Sequence, residues 1–358
     1  MKKDLKVLVT GGGAPGIAGT IYALRNNPDG ESVKIVTCDM RDEVVGKYLA
    51  DKFYQVPSAE SPDFIESIMK IALQEKVDVI LPQVTQELLP LAESLPLFEA
   101  KGIKVAVSQK PSIIRANDKW LILEAAKASQ VPFPKSYLTR SEAELVKSAN
   151  ELGYPRKKVV IKPRLSSGLR GLRILSEEIW NVKRFLEEKP DFLEIKMDEL
   201  LAILRNGPWP ELIVQEFLPG MEYTVDVFRG RNGAVAIPRL REEIRTGITF
   251  RARVKLWKDL ENFALKIAEN LDLRYAFGFQ FKLSEEGVPK LLECNPRVQG
   301  TMVTAMFAGC NIIWWAVKEA LGEKVVPKRP KRSADNMLFI RYWGGIAVYS
   351  NGKIYGPI

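Results

Sequence analysis

Phe277-Gly-Phe-Gln-Phe-Lys-Leu283, Ser284-Glu-Glu-Gly-Val-Pro289 and Lys290-Leu-Leu-Glu-Cys-Asn-Pro-Arg297 form the continuous stretch whose reading decides the fold. Two alternating apolar runs flank a segment of turn residues, so the spacing predicts an antiparallel hairpin. Side chains of a strand alternate between its faces, which puts Gln280 and Lys282 on one face and Phe279 and Phe281 on the other. On the second strand Glu293 and Asn295 share a face, and Gln280 can converge on Glu293 across the pair. Mg²⁺ takes oxygen ligands, keeps several waters and is usually held by one or two carboxylates together with substrate phosphates. Gln280, Glu293 and Asn295 are therefore the expected metal ligands. Taken alone, Glu293 reads equally well as a satisfied carboxylate in a buried hairpin. The adjoining Pro296-Arg297 and the upstream features tip the reading toward a site.

The chain has 358 residues, 46% of them hydrophobic and 27% charged, an ordinary balance for two or three globular domains. No run of about 18 apolar residues occurs and the start leads directly into a strand, so the expectation is a cytoplasmic protein without a membrane span. Cys38, Cys294 and Cys310 are too far apart for a CxxC zinc or redox pattern and read as small core residues. There is no histidine, which excludes Ser/His and Cys/His catalysis and imidazole metal ligation. Chemistry must run on carboxylates, lysine, arginine and a metal ion. The net charge of +9 suits an anionic small substrate or nucleic acid. The one dense basic run, Lys328-Arg-Pro-Lys-Arg332, has no interleaved aromatics and reads as a solvated linker, so nucleic acid is not the expected partner.

The first third alternates strands and helices: strands at 6–10, 33–38, 77–81 and 104–107, helices at 17–26 and 63–74. That pattern predicts a doubly wound parallel sheet, with ligands expected beyond Thr10, Cys38 and Leu81. Gly11-Gly-Gly-Ala-Pro-Gly16 matches GxGxxG, and Asp39 ends the next strand, which keeps a nicotinamide dinucleotide reading open. Pro15 removes one amide donor from that turn, and nothing downstream offers hydride chemistry. A turn serving only the fold is the other reading.

In the middle third, Asn117-Asp-Lys-Trp120 opens a helix. Val159-Val-Ile-Lys-Pro163 is an apolar strand with a lysine near its end, followed by Arg164-Leu-Ser-Ser-Gly-Leu-Arg-Gly171. A lysine at a strand end beside a small-residue loop is arranged to meet phosphate oxygens while loop amides approach them. Leu212 to Gly220 reads as a strand stopped by Pro219-Gly220, which exposes backbone groups to a base edge. Glu222 beyond it is placed for ribose hydroxyls, and Asp226, on the same face, reads equally well as a solvated strand residue.

VVIKP with its glycine-serine loop, QEFLPGMEYTVDV, and FQF followed by LLECNPR occur here in an order that resembles the ATP-grasp superfamily, and the N-terminal third is similar to its pre-ATP-grasp domain. The nearest likeness is to one ATP-grasp half of the carbamoyl phosphate synthetase large subunit, on Gln280 and ECNPR. The resemblance implies a pre-ATP-grasp domain over 1–112, a small lobe over 113–218 and a large lobe over 219–358. It implies ATP phosphates on Lys119 and Lys162 under a loop formed by Ser166, Ser167 and Gly168 onward, adenine along Gln215, Glu216, Phe217 and Leu218, and ribose on Glu222. It further implies Mg²⁺, with Mn²⁺ as an alternative ion, on Gln280, Glu293 and Asn295, with Arg297 near the transferring phosphate. Gly278 stands where D-alanine ligases carry an arginine, so the compensating charge must come from Arg239, Arg241, Arg245 or Arg297.

The implied activity is an ATP- and Mg-dependent carboxylate-amine ligase, with a small-molecule carboxylate and an amine as partners. Two alternatives stay open, a phosphotransferase that stops at a phosphorylated acceptor and a non-catalytic or NAD-binding protein. At the C-terminal end, 311–321 predicts a helix, and strands around Gly344-Gly345 with a turn at Ser350-Asn-Gly-Lys353 add to the last lobe or form a homodimer contact. Arg341 reads there as a surface arginine or a substrate contact.

Overall fold

The hairpin forms as the alternation requires. In the computed structural model, which describes residues 4–166, 168–178, 181–188, 193–342 and 344–357, strands run over Tyr275–Leu283 and Pro289–Asn295. Phe277, Phe279 and Phe281 are fully buried, while Gln280 and Lys282 on the other pleat are partly exposed. The two strands are labelled β14 and β15 below, counting along the chain.

The chain divides into two compact units, one of residues 1–117, 221–281 and 293–358 and the other of 118–220 and 282–292. The first unit begins with β1 (Leu5–Thr10), β2 (Val33–Asp39), β3 (Lys52–Gln55), β4 (Val79–Leu81) and β5 (Lys104–Val105), in the spatial order β3-β2-β1-β4-β5. Every pairing in this sheet is parallel. Val7, Leu8 and Val9 in the middle of β1 are all fully buried, the continuous apolar run expected of a strand covered on both faces. Leu8 packs with Phe64, Ile68, Leu88 and Phe98 on one side of the sheet. Val7 and Val9 face the helix Ile17–Arg25 on the other, in a cluster that continues into the helix Ile312–Ala320 and into Phe228, Val235 and Ile237.

Those last three residues belong to β11 (Glu222–Gly230) and β12 (Gly233–Arg245), which with β13 (Ile248–Val254), β14, β15 and β16 (Leu338–Ile340) form a six-stranded sheet in the order β15-β14-β11-β12-β13-β16. The parallel sheet and this sheet thus share one core, and the helix Ile312–Ala320 is its centre. Trp314 is fully buried and gives its Nε1 hydrogen to Asp29 at 2.6 Å, and Asn311 both caps that helix and donates to the Ala23 carbonyl at 2.8 Å. The antiparallel register of β11 and β12 sets Thr224 opposite Arg239, and Asp226 one pleat further on the same face. A separate ribbon, β17 (Ala347–Val348) with β18 (Ile354–Tyr355), closes through the expected turn at 349–353.

The second unit is built on β6 (Ser136–Thr139), β7 (Val159–Pro163), β8 (Arg173–Leu175), β9 (Glu194–Ile195) and β10 (Leu212–Glu216), ordered β6-β10-β7-β8-β9 and antiparallel except for β8 with β9. Leu145 and Ala149 of the helix Glu142–Glu151 fill its core with Val159, Ile161, Leu212 and Val214. The tip of the β14–β15 hairpin belongs to this unit: Gly220 N–H donates to Leu283 O at 3.1 Å and Leu291 N–H to Pro132 O at 2.9 Å.

Three phenylalanines in the pleat of one strand leave little room for relaxation. Phe279→Ala is expected to destabilise the protein by about 3–5 kcal/mol through lost burial and a residual cavity, read as a fall in the urea midpoint. A shift below about 1 kcal/mol would show that β14 is not packed as described.

Candidate functional site

On the polar side of the first unit, Glu293 and Asn295 extend from β15 on one face, separated by the buried Cys294. Asn295 Nδ2 lies 3.5 Å from Glu293 Oε1, and Asn295 Oδ1 accepts from Arg297 Nη2 at 3.2 Å. Arg297 also donates to Val298 O at 3.1 Å and, through Nε, to Thr85 Oγ1 at 2.9 Å. Burial pushes its guanidinium pKa down, and the nearby Glu293 carboxylate opposes that shift. No group of three His, Cys, Asp or Glu side chains gathers among the described residues. A divalent ion at Glu293, Asn295 and Gln280 would therefore have one protein carboxylate and two amide oxygens, a donor set that fits Mg²⁺ when phosphate oxygens and water complete the shell.

The arginines expected to supply charge are tied into the same sheet. Arg241 pairs with Glu222 and donates to Thr249 Oγ1 at 2.8 Å and Gly247 O at 2.6 Å. Its pKa is lowered by burial, against the pull of Glu222 and the more distant Glu293. Arg239 and Asp226 form a buried ion pair, Nε to Oδ2 at 2.7 Å. Asp226 is thus not the solvated strand residue that its position left open: its burial is stabilised by a guanidinium across the ladder. Arg245 is exposed, lies over the Phe250 ring at 4.5 Å and pairs with Glu243.

In the second unit, Lys119 and Lys162 are both more than nine-tenths buried. Lys119 Nζ donates to the Ser166 carbonyl and, at 3.1 Å, to its hydroxyl, while Lys162 Nζ donates to Leu292 O at 3.3 Å. Gly168 and Gly171 take φ of +65° and +74°, and a Cβ at Gly171 would run into the Pro163 ring, so the turn after β7 needs glycine there. Ser167 lies outside the described residues. Gln215 and Leu218 are buried. Glu216 accepts from Lys135 N at 2.9 Å and Lys290 Nζ at 2.5 Å, and Lys282 Nζ sits 5.3 Å from the Phe217 ring centre.

Three amides of the glycine loop after β1 are engaged within the protein. Gly12 N–H goes to Cys38 O at 2.8 Å, Gly13 N–H to Asp39 Oδ2 at 2.7 Å and Ala14 N–H to Gly11 O at 2.8 Å. Asp39, the residue that would meet a ribose, also accepts from Arg41 N at 3.0 Å. Two of these amides are bound by the end of β2 and one by the loop itself.

Residues 208–338 match the family model described as ATP-grasp in the biosynthetic pathway with Ter operon. Residues 7–106 match the PylC-like N-terminal domain. The chain carries an ATP-grasp domain behind a PylC-like N-terminal domain. Solved ATP-grasp structures have the same fold. N5-carboxyaminoimidazole synthetase from Staphylococcus aureus, complexed with ADP, aligns with TM-score 0.67 at 16% identity over 92% of this chain and 80% of that one. Biotin carboxylase from Campylobacter jejuni aligns with TM-score 0.67 at 18% identity over 93% and 74%. The biotin carboxylase domain of Hydrogenobacter thermophilus 2-oxoglutarate carboxylase aligns with TM-score 0.69 at 19% identity over 94% and 73%. The ATP-grasp resemblance of the sequence motifs is thereby upheld at the level of domain and fold.

Sequence reading missed Thr85, Glu87 and Gln299, and left Arg341 open between a surface arginine and a substrate contact; its guanidinium donates to Pro15 O and Gly300 O. Thr85 and Glu87 start the helix Thr85–Glu93, and no local signal ties either to Arg297, 212 residues from Thr85. Glu87 accepts from the Thr10 hydroxyl, and burial, with Asp39 nearby, raises its pKa to about 7 against the opposing Arg297. A carboxyl that binds its proton more tightly folded than unfolded stabilises the fold below pH 4.5, and that contribution is lost as pH rises toward 7. Wild-type stability should fall by up to roughly 3 kcal/mol over that range relative to Glu87→Gln, measured by urea unfolding at several pH values. Parallel pH profiles for the two proteins would contradict it.

Proposed function

We propose that this protein is an ATP- and Mg²⁺-dependent ligase that joins a small-molecule carboxylate to an amine through an acyl phosphate, releasing ADP and phosphate. The observation that carries the reading is Glu293-Cys-Asn-Pro-Arg297 on the strand paired with the Gln280 strand, within the residues that match the ATP-grasp model; the second unit adds two buried lysines. In this reading Lys119 and Lys162 bind the phosphates, Ser166, Ser167 and Gly168 belong to the covering loop, and Gln215, Glu216, Phe217 and Leu218 line adenine. Glu222 takes the ribose, while Gln280, Glu293 and Asn295 hold Mg²⁺. The ion, when bound, would neutralise phosphate charge and orient the γ-phosphate. The binding of ADP, MgADP and bicarbonate by structural neighbours supports this assignment.

The residues' part is positioning and charge. Lys119, Lys162 and Arg297 offset the negative charge on the γ-phosphate while a substrate carboxylate oxygen attacks phosphorus in line and the bond to the β-phosphate oxygen breaks. Arg239 and Arg241 contribute to the field of the same face, each balanced by its own acid, Asp226 and Glu222. The amine then attacks the acyl carbon and phosphate leaves with the electron pair. No step calls for a histidine, and the loop after β7 would keep water from the acyl phosphate. A second reading, transfer of phosphate to bicarbonate alone, is favoured by the bicarbonate bound in the Hydrogenobacter domain. The dimer of that same domain supports a homodimer.

Glu293→Ala is expected to lower ADP release by ~10²-fold or more with the melting temperature unchanged, and Lys162→Met to raise the KM for ATP. Undiminished turnover in Glu293→Ala would remove the metal assignment. ADP formed with bicarbonate alone would select the phosphotransferase reading.

A further inference from the structure

The basic run that reads as a solvated linker is held in place by the first unit. Lys324 to Arg332 contains five cations and no acid, more than half of the net charge of +9. All five side chains are exposed, and none forms an ion pair or a hydrogen bond among the described residues. The backbone beneath them is anchored. Val325 and Ala334 are buried in the core that holds Trp314, and Lys328 O accepts from Cys310 Sγ at 3.2 Å. The Pro327 ring lies 3.4 Å from where a Cβ on Gly233 would stand.

The spacing of the prolines sets the shape of this segment. Pro327-Lys-Arg-Pro-Lys-Arg332 is one tripeptide repeated. A proline disfavours helical backbone in the residue before it, here Val326 and Arg329, and Lys331 has φ −64° and ψ 148°. Such angles belong to a polyproline II helix, with three residues per turn and a rise of about 3.1 Å per residue. Burial follows the same period: Pro327 and Pro330 are partly buried, and the lysine and arginine after each are exposed. The prolines form the edge against the protein. Lys328 and Lys331 share a second edge, about 9 Å apart, and Arg329 and Arg332 flank it, Arg332 opening the short 3₁₀ turn Arg332–Ala334.

Like charges set this closely on an anchored backbone repel one another, and no acid of the protein offsets them. The ends of the stripe are acidic: Glu323, paired with Lys318, precedes it and the exposed Asp335 follows it. The positive field is therefore confined to the length of one short segment. A duplex nucleic acid laid along it would run onto those carboxylates, and the segment has no aromatic side chain for bases to stack on. A run of Asp or Glu in extended backbone fits, because it presents a carboxylate about every 3.3 Å and needs no groove. The stripe is already extended, so docking orders little of it.

We propose that residues 324–332 dock an extended acidic segment of a partner protein. None of these residues belongs to the ATP or metal site, so this surface is a second point of recognition on the first unit.

The test is fluorescence anisotropy with a labelled peptide of about ten glutamates at about 50 mM salt. Lys328→Gln, Arg329→Gln, Lys331→Gln and Arg332→Gln together are expected to weaken binding ten-fold or more. Lys328→Gln with Lys331→Gln, which clears one edge alone, should weaken it three-fold or more. Removing as many exposed cations elsewhere, by Lys101→Gln, Lys127→Gln, Lys147→Gln and Arg156→Gln, should weaken it two-fold or less. An unchanged melting temperature reports that each variant is folded. Equal weakening in the two fourfold variants would reduce the stripe to net charge and overturn the proposal. Absence of peptide binding by the wild type would also overturn it. So would tighter binding of a duplex DNA of about 20 base pairs, or of phosphatidylserine vesicles, that the four changes in the stripe abolish.

Discussion

Phe277, Phe279 and Phe281 cannot enter the core without turning Gln280 to the opposite face, because a strand has only two faces. On β15 the burial of Cys294 puts Glu293 and Asn295, on the opposite pleat, on the other side of the strand. Apolar burial, the strongest term available to this hairpin, thereby sets the direction of the polar atoms. Gln280 is oriented by the phenylalanines on the opposite pleat of its strand, and a rigid packed strand is the kind of support that a metal or phosphate site needs.

Around that hairpin the chain works without histidine and with many buried cations. Arg239, Arg241, Lys119 and Lys162 are buried, and burial lowers the pKa of Arg297. Arg239 and Arg241 have carboxylates at their heads, whereas Arg297 and Arg341 are hydrogen-bonded to oxygens without formal charge. Desolvating a cation without an anion is costly. Repeated burial of cations suits anionic ligands, in keeping with an ATP-grasp domain.

Much of the first sheet was legible because its periodicities are local. The run Lys6–Thr10 and the helix after Gly16 are each encoded by neighbours in sequence, and β1, β2 and the helix Phe64–Glu75 lie within a residue or two of expectation. The short β3 and the five-stranded sheet of the second unit were not read in full, since β8 and β9 have only two or three residues each and take their order from partners far along the chain. GxGxxG was ambiguous for a related reason: the pattern reports a tight turn, but that two of its amides meet Cys38 and Asp39 depends on where β2 ends.

By itself the sequence determined the hairpin, its two faces and the order of the ATP-grasp motifs, since pleat, turn chemistry and apolar spacing act within a few residues. Only the tertiary structure decided that the parallel sheet shares a core with the six-stranded sheet through Trp314, that Asp226 is buried against Arg239, and that Arg341 reaches Pro15. Ion pairs and hydrogen bonds are properties of what surrounds a side chain, and those surroundings come from residues up to 326 positions away.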